Sequence, residues 1–167
     1  YGEHPSNLGA YLARRIGDMV GIPAFFVDPV CVDEMTDVAH YTGFADFRRL
    51  SQFHALNQKS IGRKAAAALG RPYEQVNLIV CHLGGGVSVA AHHHGRVVDV
   101  FNVKDEGSMG MDRAGGLPVN QLIDYCYSGR SKDQVKKTLG RRAGMFSYLG
   151  TTDFRVICAK VRSEERR

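Results

Sequence analysis

The stretch VNLIVCHLGGGVSVAAHHHGRVVDVFN, Val76 to Asn102, decides the fold of this chain. Three β-prone runs follow one another in it, separated first by glycines and then by a polar turn: Val76–Cys81 with His82 and Leu83 at its end, Val87–Ala91, and Arg96–Phe101. Apolar runs of this length with short turns between them are typical of antiparallel hairpins. The stretch therefore predicts a three-stranded antiparallel meander.

The first turn of this meander, Gly84 to Gly86, has no side chains. Glycine permits positive φ angles, and it lets backbone N–H groups approach a bulky anion such as phosphate. A hairpin that needs only a positive φ would be satisfied by one or two glycines. A single glycine-rich turn is a weak signal, so both interpretations stay open at this point.

The second turn, from His92 to Gly95, contains three consecutive histidines. Side chains that follow one another in a hairpin point in different directions, and no spaced carboxylate or cysteine accompanies them. Metal sites need converging ligands. We therefore expect a solvated turn here and no metal site.

Helical patterns surround the meander and make the predicted fold class α/β. A helix is expected to begin at Pro5 or Ser6 and to end at Gly21, and a short buried strand is expected at Ala24–Val27. The further helices are predicted over Glu34–Tyr41, Phe53–Leu69 and Pro118–Tyr127, after the capping box that begins at Ser131, and after a cap at Thr151 or Thr152. The run of three meandering strands that begins at Val76, after a helix, suggests that a new domain starts there.

The composition is that of an ordinary globular protein, with 167 residues, 44% hydrophobic and 23% charged. The net charge of +5 is scattered, which favours an anionic small molecule over nucleic acid. The four cysteines form no C-x-x-C pair, so we expect core thiols, no disulfides and a cytoplasmic location. No apolar run is long enough to span a membrane. The first residue is Tyr1, and we expect the sequence to be cut from a longer protein.

Five polar residues at the ends of predicted elements are candidate functional residues: His4, Asp28, His54, His82 and Arg113. Each alone has a structural alternative as a helix cap, a packed core residue or an ion-pair partner. Together, a carboxylate, histidines, an arginine and a glycine turn are the set that phosphoryl transfer requires. No Walker A, HRD or DFG motif occurs. The sequence therefore predicts a nucleotide site of another design.

Segments along the chain resemble, in the same order, the acetate and butyrate kinase family, within the sugar kinase, heat-shock ATPase and actin superfamily. They are YGEHPSNLGAYLA, FFVDPVCVDEM, FHALNQKSIGRKAA, NLIVCHLGGGVSVAAHHHGRVVDV, DRAGGLPVNQLI and YLGTTD. The resemblance extends from His4 to about Asp153, and the second and third segments are similar to the butyrate branch. Gly85 stands where acetate kinases usually have Asn. The segment after Asp153 fits the family poorly.

The resemblance implies roles for individual residues. Asp28 is expected to bind Mg²⁺ and orient the acceptor carboxylate, while His54 and Arg113 contact the transferring phosphoryl group. His82 and Gly84 to Gly86 are expected to bind the phosphates of ATP. His4 and Asn7 are expected near the carboxylate substrate.

The resemblance also implies a ribonuclease-H-like, actin-like ATPase fold in two domains. Residues 1–73 would end the first domain and residues 74–167 would begin the second. The implied activity is transfer of a phosphoryl group from ATP to butyrate or a branched short-chain fatty acid, by a homo-oligomer when full length. An acetate or propionate kinase, and a nucleotide-binding fragment without activity, are the alternatives. We expect the 167 residues alone to lack kinase activity and to be marginally stable.

Overall fold

The structure is a computed structural model of the chain, and it describes residues 5–102 and 104–164. Three strands and six α-helices are formed in these ranges. In chain order they are α1 (Gly9–Val20), α2 (Ala55–Ala68), β1 (Asn77–Leu83), β2 (Val87–His93), β3 (Arg96–Phe101), α3 (Val119–Cys126), α4 (Lys132–Arg141), α5 (Gly144–Leu149) and α6 (Phe154–Glu164). Short 3₁₀ turns lie at Pro5–Leu8, Asp37–His40 and Tyr73–Gln75.

The three strands form one sheet in the order β1-β2-β3, as predicted for the meander. β2 and β3 are antiparallel, with Ala90 opposite Val100, and the register shifts between Ala91 and His92. β1 alternates in burial, so that Val80 and His82 lie on its better-covered face, whereas Cys81 is exposed. Because strand side chains alternate between faces, this register places His82 towards the interior and contradicts the expectation that Cys81 is a core thiol.

The core packs the sheet against the start of α2. One apolar cluster is formed by Met35, Phe53, Ala55, Ala90, Val97 and Val100. A second is formed by Ala66, Tyr73 and Val76, with Leu78 packed against it. These clusters anchor both ends of α2, which runs close to its predicted bounds and ends before Gly70, at φ 68°.

The buried strand predicted at Ala24–Val27 is wrong. These residues form no strand, and Phe25 and Val27 are 81% and 61% exposed. An apolar run becomes a strand only when another strand supplies backbone hydrogen bonds, and no described strand pairs with this one. The segment instead leads from the end of α1 to Asp28.

Two other local predictions need correction, one helix was not predicted, and one prediction is confirmed. The helix expected over Glu34–Tyr41 is only the 3₁₀ turn Asp37–His40, and α5 was not predicted. Asp153, rather than a threonine, caps α6, since its carboxylate accepts the Arg155 N–H at 2.9 Å. The capping box at the start of α4 is confirmed, with the Ser131 and Gln134 side chains each accepting the other's backbone N–H.

The chain divides into two compact units. Unit 1 contains residues 1–82 and 89–102, and unit 2 contains residues 83–88 and 103–167. The assignment of residues 1–73 and 74–167 to two ribonuclease-H-like domains stays a prediction. No helix formed by residues 5–102 or 104–164 is long and apolar enough to cross a bilayer.

Candidate active site

Asp28 of unit 1 follows the extended segment after α1. Its backbone adopts φ 43°, a left-handed conformation that aspartate tolerates better than most residues. Its carboxylate lies 3.9 Å from the Lys59 ammonium and 3.9 Å from the Arg63 guanidinium. Both distances are longer than a hydrogen bond. The Asp28 side chain is therefore charge-compensated while its oxygens are not hydrogen-bonded to either cation.

The first turn of α2 brings two more polar residues to the same region. His54 is the residue before the helix, and Asn57 follows three positions later. The His54 ring stacks on the ring of His82, with centroids 3.6 Å apart and planes 10° from parallel. His82 Nδ1 lies 2.8 Å from Asn57 Oδ1, so His82 donates its Nδ1 proton to this amide oxygen.

These residues line one cleft of about 430 Å³ in unit 1. Its lining consists of Asp28, Val30, His54, Ala55, Leu56, Asn57, Ser60 and His82. Three side chains singled out in the sequence, Asp28, His54 and His82, are thus brought together from a loop, a helix N-terminus and a strand. A carboxylate and two imidazoles can bind a polyanion with its counter-cation and move protons at its edge.

Behind the cleft, Lys59 and Glu34 form a nearly buried ion pair. Lys59 Nζ donates to Glu34 Oε1 at 2.6 Å, and the Lys59 side chain is only 8% exposed. The second oxygen, Glu34 Oε2, accepts the Val97 N–H at 2.8 Å. Burial acts to raise the pKa of Glu34, but the bonds from Lys59 and Val97 outweigh it and hold the pKa below its usual value.

His92 belongs to a second buried network that contacts α2. Its Nδ1 lies 2.6 Å from the Tyr73 hydroxyl and its Nε2 lies 3.2 Å from Gln58 Oε1. Burial lowers the pKa of His92 to about 4, and the Lys59 charge adds to this effect while Glu34 opposes it. A neutral ring therefore accepts from Tyr73 and donates to Gln58. The expectation of a fully solvated histidine turn is wrong at this position, because the β2 register turns His92 inward.

The glycine turn lies in unit 2 and is less open than the sequence suggested. Gly84 N–H donates to Gly86 O at 3.1 Å, so this amide is used within the turn. Gly85 has no positive φ, and a Cβ added there would meet no atom within 4 Å. Neither a positive φ nor close packing therefore requires a glycine at position 85, and the binding of phosphate at this turn stays a prediction.

Arg113 lies in a tightly held loop of the same unit. Gly110 N–H donates to Arg113 O at 3.0 Å, and Ala114 N–H donates to Leu139 O at 2.9 Å. A Cβ on Gly110 would come within 2.7 Å of Gly85 O. The backbone on either side of Arg113 is therefore fixed, and its loop packs directly on the glycine turn.

Of the two residues predicted for the substrate side, only Asn7 is among the described residues, and it is not part of this cleft lining. Asn7 lies in the 3₁₀ turn Pro5–Leu8 before α1 and is half-buried. His4 lies outside the described residues. Their roles stay predictions.

Comparison with known proteins assigns the family. The pattern that defines the acetokinase family matches residues 40–167, a range that includes His54, His82, the glycine turn and Arg113. The chain belongs to the acetokinase family.

Relatives within the acetokinase family include butyrate kinases. The chain is 50% identical over 165 residues to "Probable butyrate kinase" of Listeria monocytogenes serotype 4a (strain HCC23), covering 98% of this chain and 46% of that protein. It is 44% identical over 161 residues to "Butyrate kinase 1" of Clostridium acetobutylicum, covering 95% of this chain and 45% of that protein. The chain thus spans about half the length of the curated relatives it matches.

Solved structures confirm the predicted fold class, the actin-like ATPase fold. The acetate kinase of Porphyromonas gingivalis superposes with a TM-score of 0.77 at 22% identity, over 96% of this chain and 43% of that one. A propionate kinase from Francisella tularensis superposes with a TM-score of 0.65 at 20% identity, over 77% of this chain and 35% of that one. At these identities the likeness concerns the fold.

No cluster of three or more histidine, cysteine, aspartate or glutamate side chains that could hold a metal occurs within residues 5–102 and 104–164. Mg²⁺ at nucleotide sites is usually bound through only one or two carboxylates together with substrate phosphates. Asp28, whose oxygens are not hydrogen-bonded to the two cations 3.9 Å away, fits that mode in this acetokinase-family chain.

Glu34, Lys59 and Asn57 were not singled out in the sequence, although they contact or flank the predicted residues. One signal was present: Lys59 and Arg63 are four residues apart, the spacing that puts two side chains on one helix face. Their common partner, Asp28, lies about thirty positions earlier, and no local pattern connects it to α2.

Proposed function

We propose that the complete protein that carries this sequence is an ATP-dependent carboxylate kinase of the butyrate type. An oxygen of butyrate, or of a branched short-chain fatty acid, attacks the γ-phosphorus of ATP in line. The bond from that phosphorus to the β,γ-bridging oxygen breaks, and the products are an acyl phosphate and ADP. The observation that carries the proposal is the cleft in which Asp28, His54 and His82 converge.

Asp28 is the residue that would hold a divalent cation such as Mg²⁺. A bound cation would neutralise the charge of the phosphate oxygens. Lys59 and Arg63, each 3.9 Å from the carboxylate, compensate its negative charge. Asp28 is also proposed to orient the incoming carboxylate, because two anions repel at close range.

His54 and His82 are proposed to donate hydrogen bonds to phosphate oxygens. The stacked arrangement fixes both ring planes, and the bond to Asn57 fixes the orientation of His82. Since His82 Nδ1 already donates to Asn57, its Nε2 is the atom that would meet an oxygen, and it donates there in the protonated ring.

Arg113 and the amides of the glycine turn are proposed to complete the stabilisation of the transferring group. An arginine presents several donors in a planar fork, which suits phosphoryl oxygens. Gly84 uses its amide within the turn, so the proposed phosphate donors are the amides of Gly85 and Gly86. His4 and Asn7 are proposed to act on the side of the carboxylate substrate.

We expect this protein to act in the cytoplasm, where ATP is supplied, and to assemble as a homo-oligomer. Light scattering after size exclusion on the complete protein measures the second property. A monomer at working concentration would contradict it.

The test of the activity is an acyl-hydroxamate assay on the complete protein with ATP, Mg²⁺ and a series of carboxylates from acetate to valerate. We expect the highest kcat/KM for butyrate or isobutyrate, since each methylene in a fitted pocket contributes about 1–3 kcal/mol. A maximum of kcat/KM at acetate or propionate would instead indicate an acetate or propionate kinase. Nucleotide binding without acyl phosphate would refute the proposed reaction.

A further inference from the structure

Lys59 lies between two carboxylates, and its ammonium is much closer to one of them than to the other. Its ammonium is 2.6 Å from Glu34 Oε1 but 3.9 Å from Asp28 Oδ1. The Lys59 side chain is 8% exposed, whereas Asp28 and Glu34 are 16% and 25% exposed. A lysine this deeply placed is normally hydrogen-bonded to as many acceptors as it can reach, so the asymmetry needs a cause.

The cause is the way in which Glu34 is fixed. Both of its oxygens are engaged, one by Lys59 and the other by the Val97 N–H of β3 at 2.8 Å. The Glu34 carboxylate is therefore fixed at the edge strand of the sheet and cannot move together with the Lys59 ammonium towards Asp28. Thr36, two residues later, also donates its N–H to Val98 O at 3.1 Å, which fixes the same segment again.

We propose that Glu34 and Lys59 are positioning residues for Asp28. Glu34 holds the ammonium at a distance from which it attracts Asp28 without hydrogen-bonding to it. Asp28 is thereby kept oriented in the cleft, and its oxygens stay available for the substrates. The inference rests on the proposed function, because it gives Asp28 a task that a closed ion pair with Lys59 would prevent.

The alternative is an ion pair that only joins α2 to the segment before it. The two interpretations differ in what happens when Glu34 becomes neutral. Glutamine has one acceptor oxygen where Glu34 uses two, so E34Q loses either the bond to Lys59 or the bond to Val97. In both cases the nearest full negative charge to the ammonium becomes Asp28.

The experiment compares E34Q with D99N in the complete protein. Asp99 forms an ion pair with Arg49 at 2.9 Å, is 51% exposed and does not line the cleft, so D99N removes a more exposed ion pair elsewhere in unit 1. We expect E34Q to lower kcat about 10–100-fold, the usual effect of losing a partner that orients a site residue, while D99N retains wild-type kcat. A crystal structure of E34Q should show Lys59 Nζ within about 3 Å of Asp28.

A double variant distinguishes a loss of positioning through Lys59 from a folding defect. E34Q/K59M replaces the pair with neutral side chains, which avoids leaving one charge buried alone. If Glu34 acts through Lys59, E34Q has no further effect on kcat in the K59M background. An unchanged kcat in E34Q, or an equal loss in both backgrounds, would overturn the inference.

The two proposals fail in different ways. If the wild-type protein makes no acyl phosphate, the proposed function is wrong, and the E34Q crystal structure still decides the positioning. An ammonium that stays at its wild-type distance from Asp28 in that structure would overturn the inference even in an active enzyme.

Discussion

Asp28 combines an uncommon backbone conformation with a carboxylate that lies near two cations. Its φ of 43° belongs to a region that non-glycine residues enter seldom and at some cost in free energy. Such conformations persist where the surroundings determine them, and here two cations of α2 lie on either side of the carboxylate at 3.9 Å. This geometry supports a functional task for Asp28 rather than a role as a helix cap, since no helix begins there.

Main-chain hydrogen bonds fix the backbone around Arg113, so the effect of removing its side chain can be predicted. R113A in the complete protein should lower kcat about 10²–10³-fold, by analogy with the loss of one donor to a developing anion. The loop should keep its conformation, because Gly110 and Ala114 hold it through main-chain bonds. Steady-state kinetics with ATP and butyrate, together with a thermal melt, measure both effects.

R155A is the matched control for this arginine. Arg155 is 91% exposed, and its ion-pair partner among the described residues is Asp153, so its removal should leave kcat unchanged. Equal activities of R113A and the wild-type protein would remove Arg113 from the site.

His92 predicts a dependence of stability on pH. Burial lowers the pKa of His92 to about 4 from the ordinary value of 6.5. Between these two pH values the ring is therefore protonated in the unfolded chain and neutral in the folded chain. Below pH 6.5 the free energy of unfolding should therefore fall as the pH is lowered, and the loss should level off near pH 4 at about 3 kcal/mol. Denaturant titrations across this range measure it.

H92Q separates this residue from the other groups that titrate in acid. Glutamine can still bond to Gln58 and Tyr73 but takes up no proton, so the acid loss of stability should be smaller by that amount. A variant with the wild-type pH profile would show that His92 is not the group responsible.

At the scale of elements, α2 connects the cleft to the core, and its glycine shows how closely it packs. A Cβ on Gly62 would lie 2.9 Å from Tyr73 Cε2 and 3.3 Å from His92 Nδ1. G62A should therefore destabilise the protein by about 1–3 kcal/mol, the usual cost of overpacking. Chemical denaturation monitored by circular dichroism measures the change.

Gly140 of α4 provides the opposite case. A Cβ there meets no atom within 4 Å, and alanine is a better helix former than glycine by about 0.5–1 kcal/mol. G140A should thus stabilise the protein slightly. If G62A stabilised the protein as G140A is expected to, the packing of α2 against Tyr73 and His92 would be wrong.

At the scale of the whole chain, the exposed apolar surface of α1 is the most prominent feature. Leu12, Ile16 and Met19 are 64%, 59% and 78% exposed and lie on one stripe of the helix. Exposed apolar surface of this kind drives association. The 167 residues produced alone should self-associate as their concentration rises, which sedimentation velocity measures.

L12E/M19E tests the stripe without touching the cleft. Two charges on α1 should shift the association to higher concentration, while exposed substitutions of this kind change stability little. A wild-type chain that stays monomeric over a hundredfold range of concentration (about 1–100 μM, where association of partly unburied chains is commonly seen) would contradict the prediction.

Much of the fold is determined by the sequence alone, because local patterns encode local hydrogen bonding. The meander, α2 and the capping box of α4 follow from periodicity, glycines and caps within a few residues of one another. The sequence motifs also indicated the family and indicated Asp28, His54 and His82 as site residues, and the structure places these three in one cleft. The run Ala24–Val27 shows the limit, since a strand depends on a partner that its own residues do not specify.

Only the tertiary structure decided which side chains meet. Lys59 reaches Glu34 and Asp28, and His92 reaches Tyr73 and Gln58, across separations that no periodic pattern spans. The pKa shifts of Glu34 and His92 follow from burial and from those contacts, which arise when α2 packs against the sheet. The sequence supplied the chemical groups of the site, and the packing of distant elements set their distances, because side-chain partners depend on the whole fold whereas backbone periodicity depends on near neighbours.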